Sequence, residues 1–103
     1  MKIDNTKIDN SLIVDLSGDL DESSAPKVRA YLDSLIDQKR CDRLILNFEK
    51  VGFMDSTGIG MLLGRYKRTE AFGVELCVSN LNPQVDKVFK ISGLYQIIKA
   101  VSL

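Results

Sequence analysis

The sequence predicts an α/β fold, a largely parallel sheet with helices packed against it in the order β-β-α-β-α-β-α-β. Three features carry this expectation. Strand-like segments alternate with helix-like segments of about 10–15 residues, the pattern of βαβ units. Leu44, Ile45, Leu46 and Phe48 make one segment apolar at nearly every position, as in a strand buried on both faces. Capping residues also punctuate the chain, with Ser23-Ser24 before Pro26, Asp55-Ser56-Thr57, and Asn82-Pro83.

Each element follows from its local pattern. A weak first strand lies near Ile3 to Ile8, and Asp9-Asn10 can turn it back. Leu12, Val14 and Leu16 then alternate with Ile13, Asp15 and Ser17 as in a half-buried strand, closed by Gly18. Ser23, Ser24 and Pro26 open a helix in which serine caps the orphan amides, and Val28, Leu32, Leu35 and Ile36 follow at helical spacing beside Tyr31. Leu44 to Phe48 is the next strand. Asp55-Ser56-Thr57 opens a second helix whose inward stripe is expected to be Ile59, Leu62, Leu63 and Tyr66, with Gly73 as its stop. Val74 to Val78 reads as a strand. Asn82-Pro83 starts a third helix carrying Val85, Val88 and Phe89, which exits at Ser92-Gly93. Ile97, Ile98 and Val101 form a last short strand. Leu44, Leu46, Leu62, Leu63, Val88 and Phe89 are expected at the centre of the core.

Residues 1–103 read as one domain, because composition shows no linker, low-complexity tract or charge block. A chain this short buries somewhat over ~60% of its unfolded surface, enough for one packed core. The repeat of Lys2-Ile3-Asp4-Asn5 in Lys7-Ile8-Asp9-Asn10 is too short to be a structural repeat unit. The 14 Lys+Arg balance 14 Asp+Glu, which argues against general binding to nucleic acid or anionic membrane. Histidine is absent, which removes the commonest general base and the commonest metal ligand together. Cys41 and Cys77 stand far apart with no C-x-x-C, so neither a zinc site nor a disulfide framework is indicated, and both read as inert. No apolar run approaches the ~20 residues of a membrane helix, and no signal-peptide pattern opens the sequence. The expected setting is the cytoplasm, with reduced thiols.

The segment Phe53 to Gly60, at a strand-to-helix junction, carries the most chemistry. It is no Walker A loop, since no Lys follows its glycines. Gly58, Gly60 and Gly64 miss the dinucleotide fingerprint by one residue and fall inside the helix rather than before it. An aspartic protease signature would need Asp-Ser/Thr-Gly in an all-β chain, whereas two residues separate Asp55 from Gly58 and helices flank them. An enzyme without His would need a convergent carboxylate or Ser–Lys set, and only Asp55 and Ser56 converge. The ordinary role of Asp55 and Ser56 is helix capping. Two features go further. A serine at a helix N-terminus is where an added phosphate would meet free amides and the positive end of the dipole. The opposite helix face, expected to hold Thr57, Met61, Gly64 and Arg68, lacks the Glu, Lys and Gln of a solvated face, and its glycine alone costs about 1 kcal/mol of helix propensity. Close approach of a partner accounts for such a face.

The run Asp55-Ser56-Thr57-Gly58-Ile59-Gly60-Met61-Leu62-Leu63-Gly64-Arg65-Tyr66-Lys67-Arg68 resembles the STAS-domain anti-sigma factor antagonists of the stage II sporulation protein AA type. Leu16-Ser17-Gly18-Asp19-Leu20-Asp21 resembles the family's Gly-Glu-Leu-Asp turn. Val51-Gly52-Phe53-Met54 resembles its lead into the serine motif, and Lys87 to Leu94 its late helix and Ser-Gly-Leu exit. The resemblance covers most of the chain. It implies a protein that binds an anti-sigma factor, itself a serine kinase, and so frees a sigma factor. The kinase would phosphorylate Ser56 to end that binding, and a serine phosphatase would restore it. Asp21, Ser23, Asp55, Thr57, Gly58, Met61, Gly64 and Arg65 would then belong to the partner surface. No catalytic residue, cofactor or metal is implied, and neither nucleic acid nor membrane is a direct partner. The alternative role for the same fold is an interaction module of a stress-signalling or lipid-transport complex. The sequence departs from the family pattern at Thr57, where a second serine is usual, and stops at Leu103, short of a further C-terminal helix.

Overall fold

The computed structural model describes residues 1–103. Strands β1 (Lys2–Ile8), β2 (Ser11–Ser17), β3 (Arg43–Lys50), β4 (Glu75–Ser79) and β5 (Lys99–Ala100) form one sheet in the order β1-β2-β3-β4-β5. Between them run α1 (Ala25–Gln38), α2 (Ser56–Phe72), α3 (Pro83–Ser92) and a 3₁₀ turn at Leu94–Gln96. The sheet is mixed. A hairpin turned at Asp9-Asn10 makes β1 antiparallel to β2, with Asp9 in the left-handed region at φ 54°, and every other pair is parallel. The expected element order is therefore the observed one, although the last strand is only Lys99–Ala100, and Ile97, Ile98 and Val101, expected to form it, flank it instead.

The three crossovers advance across the sheet in one direction, so all three helices lie on the same face. That face presents Leu12, Val14, Leu16, Leu44, Leu46, Phe48, Leu76 and Val78, and it forms a single cluster with Val28, Leu32, Leu62, Val85 and Phe89 of the helices. Phe48 and Phe89 meet edge to face with ring centroids 5.8 Å apart. On the other face Thr6, Ile13, Ile45, Cys77 and Lys99 align in one row across the five strands. Ile45 and Cys77 are buried in that row without a helix over them, so the two-sided burial expected of this strand has two different sources.

Three expectations are corrected. Ser24 occupies the N-cap of α1 but makes no capping hydrogen bond; its hydroxyl donates to the Asp19 carbonyl at 2.7 Å and accepts from the Asp21 amide. The second correction concerns the phase of α2. Its inward stripe is Gly58, Met61, Leu62, Arg65 and Thr69, while Ile59 and Tyr66 are half-buried and Leu63 is 37% exposed. Val88 on α3, also expected at the centre, is half-buried. The cause of the rotated phase is α1. Arg65 Nε lies 2.8 Å from Asp33, and Arg68 is held by Asp37 at 2.7 Å, so this flank of α2 turns toward α1 rather than out to solvent. Apolar residues on both flanks left periodicity unable to choose between stripes that differ by one residue.

Leu62 and Leu63 are therefore a direct check on the packing. Leu62→Ala should cost ~2–5 kcal/mol, through lost transfer energy and an unfilled cavity. Leu63→Ala should cost under about 1 kcal/mol, since its side chain already meets water. Urea unfolding of both variants measures the difference, and equal losses would contradict the observed phase.

Candidate functional site

Two loops at the C-terminal ends of β2 and β3 are joined into one platform. Leu20 and Met54 pair as an isolated parallel bridge. The Leu20 N–H donates to the Phe53 carbonyl at 2.9 Å, and the Asp55 N–H donates to the Leu20 carbonyl at 3.3 Å. Behind this bridge sits Gly58. A Cβ there would lie 2.6 Å from Met54 Cγ and 2.9 Å from the Leu20 carbonyl oxygen, closer than side chains approach backbone. Glycine at this point lets the first turn of α2 rest against the bridge. From the other side, Asn82 caps α3 by accepting from the Val85 N–H at 2.8 Å, and its Nδ2 donates to the carbonyls of Val51 and Gly52. The loop before α2 is thus held from both sides.

The side chains above the platform follow from these constraints. Asp55 is the N-cap of α2, and its Oδ1 accepts from the amides of Thr57 at 3.0 Å and Gly58 at 3.3 Å. Ser56, the first residue of α2, is exposed, and its hydroxyl takes part in none of the chain's hydrogen bonds. Capping therefore belongs to Asp55, and the Ser56 hydroxyl is left over. On the facing loop, Asp21 Oδ1 accepts from the Ser23 hydroxyl at 2.7 Å and from the amides of Ser23 and Ser24. These bonds, the Ser23 hydroxyl first, hold the Asp21 carboxyl below its ordinary value despite some desolvation. Asp21 and Ser23 brace each other in a turn beside the α2 N-terminus.

A groove runs from Thr57 between α1 and α2, past Gly60, Met61 and Gly64 on one wall and Pro26 and Arg29 on the other. Three residues expected on the partner surface are buried instead. Gly58 packs under the bridge, Met61 is only 7% exposed, and Arg65 is 6% exposed, although Met61 and Arg65 still line the groove floor. For Met61 and Arg65 the reason is again the turn of this α2 flank toward α1. Burial draws the Arg65 guanidinium below its ordinary value, the Asp33 carboxylate opposes this, and Arg29 and Arg68 add like-charge repulsion. Thr57 and Gly64 remain accessible, as do Asp55 and Asp21 in part. Gly60 and Arg29 also line the groove, although neither was expected on the partner surface. The spacing of Gly60 four residues before Gly64 was an available signal, since such pairs share a helix face. Nothing local marked Arg29. Phe53, 39% exposed, adds an aromatic edge near the serine. No three His, Cys, Asp or Glu side chains gather to hold a metal ion.

Comparison with known proteins shows what the chain as a whole resembles. The STAS domain model matches residues 2–102. An anti-sigma F factor antagonist of Paenibacillus polymyxa is 40% identical over 87 residues, which cover 84% of this chain and 74% of that protein. The structure of the anti-sigma factor antagonist SpoIIAA in its unphosphorylated form aligns with a TM-score of 0.70 at 31% identity, over 87% of this chain and 83% of that one. The structure of the Bacillus cell fate determinant SpoIIAA in its phosphorylated form aligns with a TM-score of 0.74 at 31% identity, over 97% and 91%.

The bridge makes a prediction of its own. Gly58→Ala should destabilise the protein by ~1–3 kcal/mol, because the new methyl meets backbone that cannot yield cheaply. Gly64→Ala, with nothing within 4 Å of its Cβ position, should be neutral or stabilising. Thermal unfolding of the two variants reads this contrast. A neutral Gly58→Ala would show that the loops do not need so close an approach.

Proposed function

The chain belongs to the STAS-domain family, among relatives that are anti-sigma factor antagonists, and from that premise we propose that it binds an anti-sigma factor, frees a sigma factor, and is switched off by phosphorylation of Ser56. One observation carries the choice of residue: the Ser56 hydroxyl is exposed and uncommitted at the start of α2, while Asp55 does the capping. Its modification costs the fold no hydrogen bond.

The switch is electrostatic. A phosphate on Ser56 adds about −1.5 to −2 charge at pH 7 beside the Asp55 carboxylate. The positive end of the α2 dipole offsets part of this charge, so the antagonist keeps its shape. The anti-sigma surface that fits a neutral hydroxyl then meets a bulky dianion without compensation. A penalty of about 3 kcal/mol lowers affinity more than hundredfold. In this scheme the anti-sigma factor is also the kinase that modifies Ser56, and a serine phosphatase returns the protein to its binding form. The protein acts as ligand and substrate rather than as a catalyst, in the cytoplasm, without direct contact to nucleic acid. No helix is long and apolar enough to cross a membrane.

Binding to the anti-sigma factor with and without ATP, together with mapping of the phosphorylated residue by mass, tests the proposal. Ser56→Ala should bind persistently and resist ATP-driven release, with its stability nearly unchanged because it is not the cap. Asp55→Ala should lose ~0.5–2 kcal/mol of stability. Ser56→Asp should bind weakly from the start. Phosphate on Thr57 or elsewhere in the wild type, or release of Ser56→Ala by ATP, would overturn the assignment.

A further inference from the structure

Four consecutive carbonyls, Lys50 to Phe53, lead from the end of β3 toward Ser56, and each is held by a residue far away in sequence. The Gly18 N–H donates to the Lys50 carbonyl at 3.0 Å and the Leu20 N–H to the Phe53 carbonyl at 2.9 Å, both from the loop after β2. Between them, the Val51 and Gly52 carbonyls accept from one side chain, Asn82 Nδ2, at 3.1 and 3.2 Å. Neither carbonyl accepts any other hydrogen bond within the chain. Of the four restraints, only this pair depends on a side chain. The loop that carries Asn82 is itself tied to β3: Asn80, in the left-handed region at φ 60°, turns the chain where β4 ends and donates from Nδ2 to Asn47 Oδ1 at 3.0 Å. Asn82 also caps α3 through Oδ1. Its oxygen therefore serves α3 and its nitrogen serves the loop before α2. Capping alone does not call for the nitrogen, since an aspartate or serine oxygen caps equally well.

We propose that Asn82 is a positioning residue for Ser56, holding the phosphoacceptor loop in the conformation that the anti-sigma kinase engages through the two bonds from its amide nitrogen to Val51 and Gly52. This rests on the proposed function and extends it, since it assigns a part in the switch to a residue on a different helix. Val51 is buried, so its carbonyl has little water to turn to when the amide is lost, and the loop shifts to find another donor. A loop freed in this way is ordered again when the partner binds. The loss therefore falls on association and not on phosphoryl transfer once the complex has formed.

The test is Asn82→Asp, which keeps the capping oxygen and the shape of the side chain but removes the donor. In phosphorylation by the cognate anti-sigma kinase, its KM as protein substrate should rise about fivefold or more while kcat stays within about twofold. Amide hydrogen exchange should quicken at Val51 and Asp55 by about tenfold or more, with the Val85 amide at the start of α3 still protected. Ile98→Val, a buried truncation beyond α3, should lower the thermal midpoint without touching these bonds and leave KM within about twofold. A wild-type KM for Asn82→Asp, unchanged exchange at Val51 and Asp55, or an equal rise of KM in Ile98→Val would overturn the positioning role while leaving the proposed function in place. Wild-type protein that takes no phosphate on Ser56 would overturn the proposed function, and the positioning role with it.

Discussion

The bridge between Leu20 and Met54 is the constraint on which the site depends. A parallel sheet ends in loops that are free to diverge beyond the last ladder bond. Here two backbone hydrogen bonds extend the pairing of β2 and β3 past their bulged ends, and Gly58 lets α2 close over the join. The polar groups of the candidate site are then held by short local hydrogen bonds on a fixed backbone. Asp55 caps α2 from a fixed position, Asp21 is braced by Ser23 and Ser24, and Asn82 ties the loop to α3. A site built this way keeps a fixed shape and would lose little entropy on binding the proposed partner.

The pairing of α1 with α2 is the second layer of that design. Arg65 and Arg68 reach across to Asp33 and Asp37, and Arg68 donates to Asp37 through two nitrogens. A buried ion pair contributes little net stability, because desolvation offsets the attraction, but it strongly disfavours any packing that separates the charges. It therefore sets the rotation and axial position of α2 more than it strengthens the fold. Small residues in the first turns of both helices then leave the groove open beside the serine.

A switch at Ser56 suits this rigid frame. Because the Ser56 hydroxyl holds nothing together, the proposed phosphorylation would act on what the surface presents and not on the fold beneath. The energy of such a switch is spent in the interface, where a desolvated dianion is costly, instead of in reorganising a core of close-packed leucine, valine and phenylalanine.

The sequence alone determined the order of the elements, the hairpin turn at Asp9-Asn10, the caps at Asp55 and Asn82, and the stops at Gly73 and Gly93, because each is set by residues within a few positions of one another. Its motifs also pointed to the segment around Ser56 as the site now proposed. What it could not determine was the phase of α2. Met61, Leu62 and Leu63 are three adjacent apolar residues, and helical periodicity accepts either pair as the inward one. Contacts with α1, among them the pairing of Arg65 with Asp33 some thirty positions away in sequence, turn Met61 and Arg65 inward and leave Leu63 in water. The fate of the glycines was decided in the same way. Gly58, Gly60 and Gly64 look alike in one dimension, yet the first is required by a backbone bridge between distant loops and the other two line open space. Local chemistry chooses the elements, whereas contacts between residues far apart in sequence choose which of their faces is core and which is site.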